Sequence, residues 1–219
     1  MKQINKLLKQ IPGARKLAKI PGARKLAKRL GIIPGGSRDF LLEMLPNNSV
    51  GAEIGVHLGH FSALILDIVK PSKLHLIDPW KYEASEAYSG SFYGGMAKGE
   101  QPELEARYET VLRKFQVLID SGKVEVNRGT SEEVAQNFPD EYFDWVYIDG
   151  NHFYEYVKQD MELYLKKVKV GGYLTGDDYT EEGWWKGGVK KAVDEMIETQ
   201  NVKLVEIRNG QFILKKTET

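Results

Sequence analysis

Between Asp144 and Asp178 the chain reads as strand, helix, strand, with an acid at each strand exit. The stretch opens with Asp144-Trp-Val-Tyr-Ile-Asp-Gly-Asn-His152 and closes with Gly171-Gly-Tyr-Leu-Thr-Gly-Asp-Asp-Tyr179. Between them Phe153, Val157, Met161, Tyr164, Leu165 and Val168 recur at helical spacing. Such a unit lays its two strands side by side and parallel, through a right-handed crossover. Neighbouring strands lie about 4.8 Å apart, so Asp149 and the pair Asp177 and Asp178 should leave the sheet along one edge, close enough to share an ion. In open α/β sheets that edge is where ligands bind.

The rest of the chain extends the same pattern. Asp39 to Leu45 reads as a short amphipathic helix, Ser49 to Val56 as a first strand and Ser62 to Val69 as a helix stopped by Pro71. Lys73 to Ile77, Lys123 to Asn127, Asp144 to Ile148 and Gly172 to Thr175 read as further strands, with a long helix over Glu103 to Ser121. Val189, Ala192, Val193, Met196 and Ile197 mark a last helix. Val202 to Ile207 and Gln211 to Lys215 alternate around Asn209-Gly210, a hairpin signal. The expected fold is α/β: a doubly wound, mostly parallel, seven-stranded Rossmann-like sheet with an antiparallel C-terminal hairpin and a reversed edge strand.

Charge divides the chain. Eleven of its 31 basic residues precede the first acid, Asp39, so the remainder carries 20 against 31 acids, a formal charge of −11. The expected organisation is a basic extension over residues 1–38 and one domain over residues 39–219. Ile11 to Lys19 reads IPGARKLAK, and Ile20 to Lys28 repeats it residue for residue. Two copies are too few for a solenoid. The extension suits a solvated or self-associating arm. A second reading lays residues 1–36 on an anionic membrane surface with Leu7, Leu8, Ile11, Leu17, Ile20 and Leu26 inward. Nucleic acid is disfavoured, because no aromatic residue is interleaved for base stacking.

The chain has no cysteine, which removes disulfides, thiolate zinc sites and cysteine nucleophiles and favours a reducing, cytoplasmic setting, with the inner membrane surface open to the extension. No apolar run approaches the roughly 20 residues of a membrane span.

The loop after the first strand reads Glu53-Ile-Gly55-Val56-His57-Leu-Gly59-His60-Phe-Ser62. Gly55 and Gly59 let the backbone approach a ligand, and the helix start behind them favours an anionic group such as a carboxylate. The spacing is not the Gly-x-Gly-x-x-Gly of dinucleotide binders. Asp78-Pro79 ends the next strand, where a carboxylate can accept both hydroxyls of a ribose. His57 and His60 share a spacing common by chance, so zinc is not expected there. His75, inside a strand, reads as structural.

Glu53-x-Gly55-x-x-x-Gly59, Asp78, Gly129-Thr130-Ser131 and Asp149-Gly150-x-His152 together resemble a class I S-adenosylmethionine-dependent methyltransferase. Asp149-Gly-Asn-His-x-Tyr-x-x-Val-x-x-Asp160 and Gly176-Asp177-Asp178-Tyr179 resemble, more narrowly, the macrocin O-methyltransferase-like family (methyltransferase domain 24). The resemblance runs from about Val50 to Leu214. It implies an O-methyltransferase acting on a hydroxyl of a sugar, glycan or glycosylated small molecule, often with magnesium, and leaves a homo-oligomer open. It implies that the loop of Glu53, Gly55, Val56, His57, Gly59 and Ser62 holds the methionine part of the cofactor. Asp78, with Pro79 beside it, would bind the ribose, Thr130 and Ser131 would lie near the adenine, and Asp149 would also contact the cofactor. Asp149, Asp177 and Asp178 match the family's metal ligands.

Three carboxylates at one edge repel unless a cation or protons intervene, and oxygen ligands favour a hard ion such as Mg2+ or Ca2+. His152, one helical turn from Asp149, is the expected base, with Asp149 as the alternative. The segment Trp80 to Gln101 carries Trp80, Tyr82, Tyr88, Phe92 and Tyr93 among Ser and Gly, suiting an acceptor wall or a lid, with Trp184 and Trp185 opposite or in the core. Bland alternatives stand beside each reading: Asp149 or Asp178 can cap helices, and His152 can be a helix-start residue without chemistry. Other functions compatible with the chain are a metal-independent O- or N-methyltransferase, a dinucleotide-dependent oxidoreductase and a non-catalytic cofactor-binding module.

Overall fold

A computed structural model describes residues 38–218. Residues 1–37, with the repeated basic segment expected to lie on a membrane surface or to serve as an arm, lie outside the described residues.

The elements run in order as α1 (Asp39–Met44), β1 (Val50–Ile54), α2 (His60–Ile68), β2 (Lys73–Asp78), a 3-10 turn (Glu86–Tyr88), α3 (Glu100–Asp120), β3 (Val124–Arg128) and α4 (Ser131–Ala135). They continue with β4 (Phe143–Ile148), α5 (Tyr154–Lys167), β5 (Val168–Gly176), α6 (Gly188–Thr199), β6 (Val202–Arg208) and β7 (Gln211–Lys216). The sheet order is β3-β2-β1-β4-β5-β7-β6. All pairings from β3 across to β5 are parallel, and β7 runs antiparallel to both β5 and β6. The chain leaves β1 toward β2 and β3, then returns to β4 on the other side of β1. That reversal opens a crevice at the C-terminal ends of β1 and β4.

The expected mostly parallel sheet with a C-terminal hairpin is present. The reversed strand, however, is β7, one place in from the edge, and β6 is the edge strand. Burial explains the order. Phe212, Ile213 and Leu214 of β7 are 0% exposed on successive positions, so both faces of β7 need cover. β6 carries Lys203, Glu206 and Arg208 and is half-exposed along its length, which suits an edge. The hairpin turns on Asn209 and Gly210, whose φ angles of 55° and 78° match the two-residue turn that Asn-Gly favours.

The core has two layers. Val146 and Ile148 of β4 face α4, α5 and α6 through Val134, Val157, Met161, Tyr164, Val189 and Val193. Trp145 and Tyr147, at the alternate positions, face α1, α2 and α3 through Leu41, Leu42, Ile65, Leu104 and Val111. Period-2 alternation on β4 thus builds both layers at once. Trp145 fits because Gly51 lies beneath it on β1: a Cβ at residue 51 would stand 2.1 Å from the indole.

Two elements differ from the sequence reading. α4 occupies a stretch to which the sequence reading assigns no element. Thr130 accepts from the Glu133 backbone (3.2 Å) while Glu133 accepts from the Thr130 backbone (2.9 Å), and the Thr-x-x-Glu spacing was the available signal. β5 begins at Val168 rather than Gly172, with a register irregularity opposite Phe143 to Trp145. Among the described residues no helix is long and apolar enough to cross a membrane.

Candidate active site

The site is built where β1, β2, β4 and β5 end. β1 passes into the glycine loop at Gly55, whose φ of +88° only glycine adopts without strain. A Cβ there would meet the Asp149 carbonyl oxygen at 2.0 Å. The Asp149 N–H in turn donates to the Ile54 carbonyl (2.8 Å), so the loop and the β4 exit are one packed unit. Gly59, also left-handed, precedes α2 and supplies no side-chain cap to that helix. Behind the loop, Glu53 is buried and accepts the Ser62 hydroxyl.

Asp78 ends β2 and is 1% exposed. Its Oδ2 accepts the backbone N–H groups of Val56 (2.8 Å) and His57 (3.0 Å), and its Oδ1 accepts that of Trp80 (2.7 Å). A fourth donor is the phenol of Tyr93, also to Oδ2. Burial pushes the Asp78 carboxyl up from its ordinary range, with these four donors opposing. Burial and the Asp78 charge push the Tyr93 phenol well above its ordinary value. Phe92 stacks on His57 with ring centroids 5.0 Å apart, and its carbonyl accepts Arg107 (2.6 Å). Burial first, then the Arg107 charge, hold the His57 imidazole down to about 4.

The segment from Trp80 also reaches the β4 exit. Asn151 donates to the Tyr88 hydroxyl (2.7 Å), and Tyr88 meets Phe153 edge-on at 5.3 Å and Trp184 at 5.9 Å. One aromatic segment therefore touches both halves of the crevice, as a wall or lid would.

The acids after β4 and β5 do not gather as the sequence suggested. Among the described residues, Asp149, His152 and Asp178 form a group whose ligand atoms lie within 4.8 Å of one another. His152 Nε2 stands 3.4 Å from Asp149 Oδ1 and 3.0 Å from Asp178 Oδ2. Asp177, expected as a third ligand, lies outside this group. Its carboxylate accepts the Gln211 amide of β7, whose own oxygen accepts the Tyr147 hydroxyl (3.2 Å). Adjacent residues leaving a strand point to opposite faces, and the left-handed φ of 61° at Asp178 turns that side chain toward His152. Burial alone would lower the His152 pKa. The hydrogen bonds and charges of Asp149 and Asp178 outweigh it and raise the pKa to about 9, so the imidazolium balances the two carboxylates. His152 Nδ1 and Trp185 Nε1 are buried without a partner among the described residues, and their rings lie 4.9 Å apart.

The remaining expected residues are placed as follows. Pro79 follows Asp78 at the β2 exit. The Thr130 hydroxyl caps α4, and the Ser131 hydroxyl donates to Asp160 while Tyr164 donates to the Ser131 carbonyl (2.9 Å). Asn151, Gln211 and Asp160 make contacts that the sequence reading did not assign, and Tyr93, expected in an acceptor wall or lid, bonds Asp78. For Asp160 a signal existed, its place in the quoted motif. For Tyr93 and Gln211 none did beyond residue type.

Residues 52–179 match the methyltransferase domain family. The chain belongs to that family. A 54-residue stretch is 41% identical to uncharacterized protein R132 of Acanthamoeba polyphaga mimivirus, covering 25% of this chain; the match spans about a quarter (24%) of that relative. Among solved structures, the O-methyltransferase TomG from Streptomyces achromogenes, in complex with SAM, is 16% identical with a TM-score of 0.60, over 88% of this chain and 86% of its own. A methyltransferase from Geobacter sulfurreducens is 14% identical with a TM-score of 0.56, over 100% and 98%. At such identities the likeness is one of fold, and it is the Rossmann-like methyltransferase fold.

Proposed function

We propose that this family member transfers the methyl group of S-adenosylmethionine to a hydroxyl, assisted by a divalent cation, with Mg2+ the expected ion. The acceptor class is a sugar, glycan or glycosylated small molecule. One observation carries the reading: Asp149 belongs to two half-sites at once. Its backbone packs against Gly55 of the glycine loop, and its carboxylate faces His152 and Asp178. A methyl donor laid on the loop and an acceptor oxygen held at the carboxylates would meet beside one residue. The fold shared with TomG, a protein solved with SAM, supports the donor.

The donor set suits a divalent cation. Asp149 and Asp178 offer carboxylate oxygens, the ligands that hard ions prefer. Such an ion, when bound, would acidify and orient a coordinated hydroxyl. The chain's own residues supply the rest. Asp149 and Asp178 keep His152 protonated in the metal-free site, so there Asp149 is the group placed to take the hydroxyl proton; His152 would serve as the base only where a bound cation offsets the two carboxylates. Tyr88, Trp184 and Trp185 offer aromatic faces to a sugar ring. Transfer forms the O–CH3 bond, breaks the S–CH3 bond and leaves S-adenosylhomocysteine and a proton.

A second reading keeps the donor and drops the ion. It is favoured by the His152 cation, which already sits between Asp149 and Asp178. Thermal-shift titration with S-adenosylhomocysteine and NAD, each with and without Mg2+, separates these. Stabilisation by NAD alone would sink both. Stabilisation by S-adenosylhomocysteine without a Mg2+ effect, and turnover that survives EDTA, would leave the metal-free reading.

A further inference from the structure

Lys114 is an exposed residue of α3 that no step above uses. Its ammonium crosses to the glycine loop and donates to the Gly59 carbonyl (2.6 Å) and the Leu58 carbonyl (3.3 Å). The next residue of the helix, Phe115, packs on the same glycine: a Cβ at residue 59 would stand 2.7 Å from its ring. The Gly59 carbonyl also receives the Ala63 N–H (3.3 Å), so Lys114 acts where the loop passes into α2.

The loop's shape requires such support. His57 has a φ of +54° and Gly59 one of +64°, and a left-handed His persists only where its surroundings impose it. Those surroundings divide by charge. The Asp78 carboxylate at the end of β2 accepts the N–H groups of Val56 and His57, the first half of the loop. The Lys114 ammonium on α3 donates to the carbonyls of Leu58 and Gly59, the second half. An anion holds the loop's donors and a cation holds its acceptors, from opposite sides of the chain's first crossover.

We propose that Lys114 is a positioning residue for the methyl donor, holding the second half of the glycine loop in the shape that takes the donor's amino-acid tail. The inference rests on the S-adenosylmethionine reading above. The donor's carboxylate is its one anionic group, and Gly59 leads into a helix start that has no side-chain cap. The nucleoside, by contrast, would depend on Asp78 and the first half of the loop, which Lys114 does not touch. Loss of the ammonium should therefore be felt by the tail and not by the nucleoside.

Isothermal titration of the full chain with S-adenosylhomocysteine and with 5′-methylthioadenosine, which keeps the nucleoside and lacks the tail, tests this. Lys114→Met keeps an unbranched stem and removes the ammonium. It should weaken S-adenosylhomocysteine binding by about fivefold or more, the equivalent of one hydrogen bond, and 5′-methylthioadenosine binding by less than about twofold. Its urea midpoint should stay within about 0.3 M of the wild type, since the residue is exposed. Unchanged S-adenosylhomocysteine affinity overturns the proposal. So does an equal fall for both ligands, which is what a general loosening of the fold would give. Where the wild type takes up S-adenosylhomocysteine alone, the fall in its affinity at an unchanged urea midpoint decides. Should Lys114→Met fail to fold, Lys114→Ala is read in its place by the same criteria. If the wild type does not bind S-adenosylhomocysteine, the methyl-donor reading itself has failed, a result distinct from equal falls.

Discussion

Tyr93 donates its phenol hydrogen to Oδ2 of Asp78 and receives the His57 N–H (3.1 Å) on the same oxygen. A ribose hydroxyl offers the same pair of functions, one hydrogen to give and a lone pair to receive. On the proposed reading, in which Asp78 binds the cofactor's ribose, the phenol stands where a ribose hydroxyl would, and cofactor binding would displace it, because the other donors to Asp78 are backbone groups of Val56, His57 and Trp80.

Tyr93→Phe keeps the ring and removes the competitor. S-adenosylhomocysteine should bind it about 3- to 10-fold more tightly than the wild type, the equivalent of one hydrogen bond no longer broken on entry. The free variant should be less stable by about 1 kcal/mol, since Asp78 loses a donor. Calorimetric titration reads the first and urea unfolding the second. Weaker binding by the variant would mean that the phenol is part of the bound site rather than its plug.

The aspartates after β5 should separate by function. Asp178 shares His152 with Asp149, whereas Asp177 is engaged by Gln211. Asp178→Asn should abolish the Mg2+ response of methyl transfer and leave S-adenosylhomocysteine affinity within about threefold. Asp177→Asn should keep the Mg2+ response and lower stability by about 1 kcal/mol, since the Gln211 contact loses its charge. Methyl transfer measured with Mg2+ and with EDTA reads both variants. The reverse pattern would move the ion to Asp177.

Gly55 should tolerate no side chain. Its φ of +88° and the 2.0 Å approach to the Asp149 carbonyl oxygen oppose even alanine. Gly55→Ala carries backbone strain of about 1–2 kcal/mol and must push the β4 exit away to make room. Donor binding should weaken by more than about tenfold while the secondary structure persists. Circular dichroism with ligand titration checks this, and unchanged affinity would show that the loop does not carry the donor.

What the sequence could and could not disclose follows from range. β4, α5 and β5 were legible because period-2 and period-3.6 patterns are local, and Gly55, Asp78 and Asp149 were legible because each sits at the end of such a pattern. Tyr93 meets Asp78 through a segment with no periodicity, so its partner could not be read from spacing. Asp177 and Asp178 read alike as acids. One φ angle at Asp178 and the inward position of β7, which brings Gln211 alongside, separate them. That position was itself misread, because a hairpin signal fixes the pairing of β6 with β7 but not which of them joins β5.

Acid stability should depend on His75. Its side chain lies inside β2 at 2% exposure, ringed by Phe138, Tyr142 and Phe143. Nε2 stands 3.2 Å from the Tyr142 hydroxyl and Nδ1 3.8 Å from Glu125, which pairs with Lys73 at 2.7 Å. Burial lowers its pKa from 6.5 to about 4, with the Lys73 charge adding and the Glu125 charge opposing. Between those values the unfolded chain binds the proton and the folded chain does not. Stability therefore rises with pH across that window, is fully present above about 6.5, and is lost as pH falls toward 4. A depression of this size corresponds to about 3 kcal/mol. His75→Leu keeps the site apolar and removes the proton. Urea unfolding at about pH 7 and about pH 4.5 should show the wild type losing roughly 2–3 kcal/mol more than the variant, with the carboxylates contributing equally to both. Parallel losses in the two proteins would show that another group sets the acid limit.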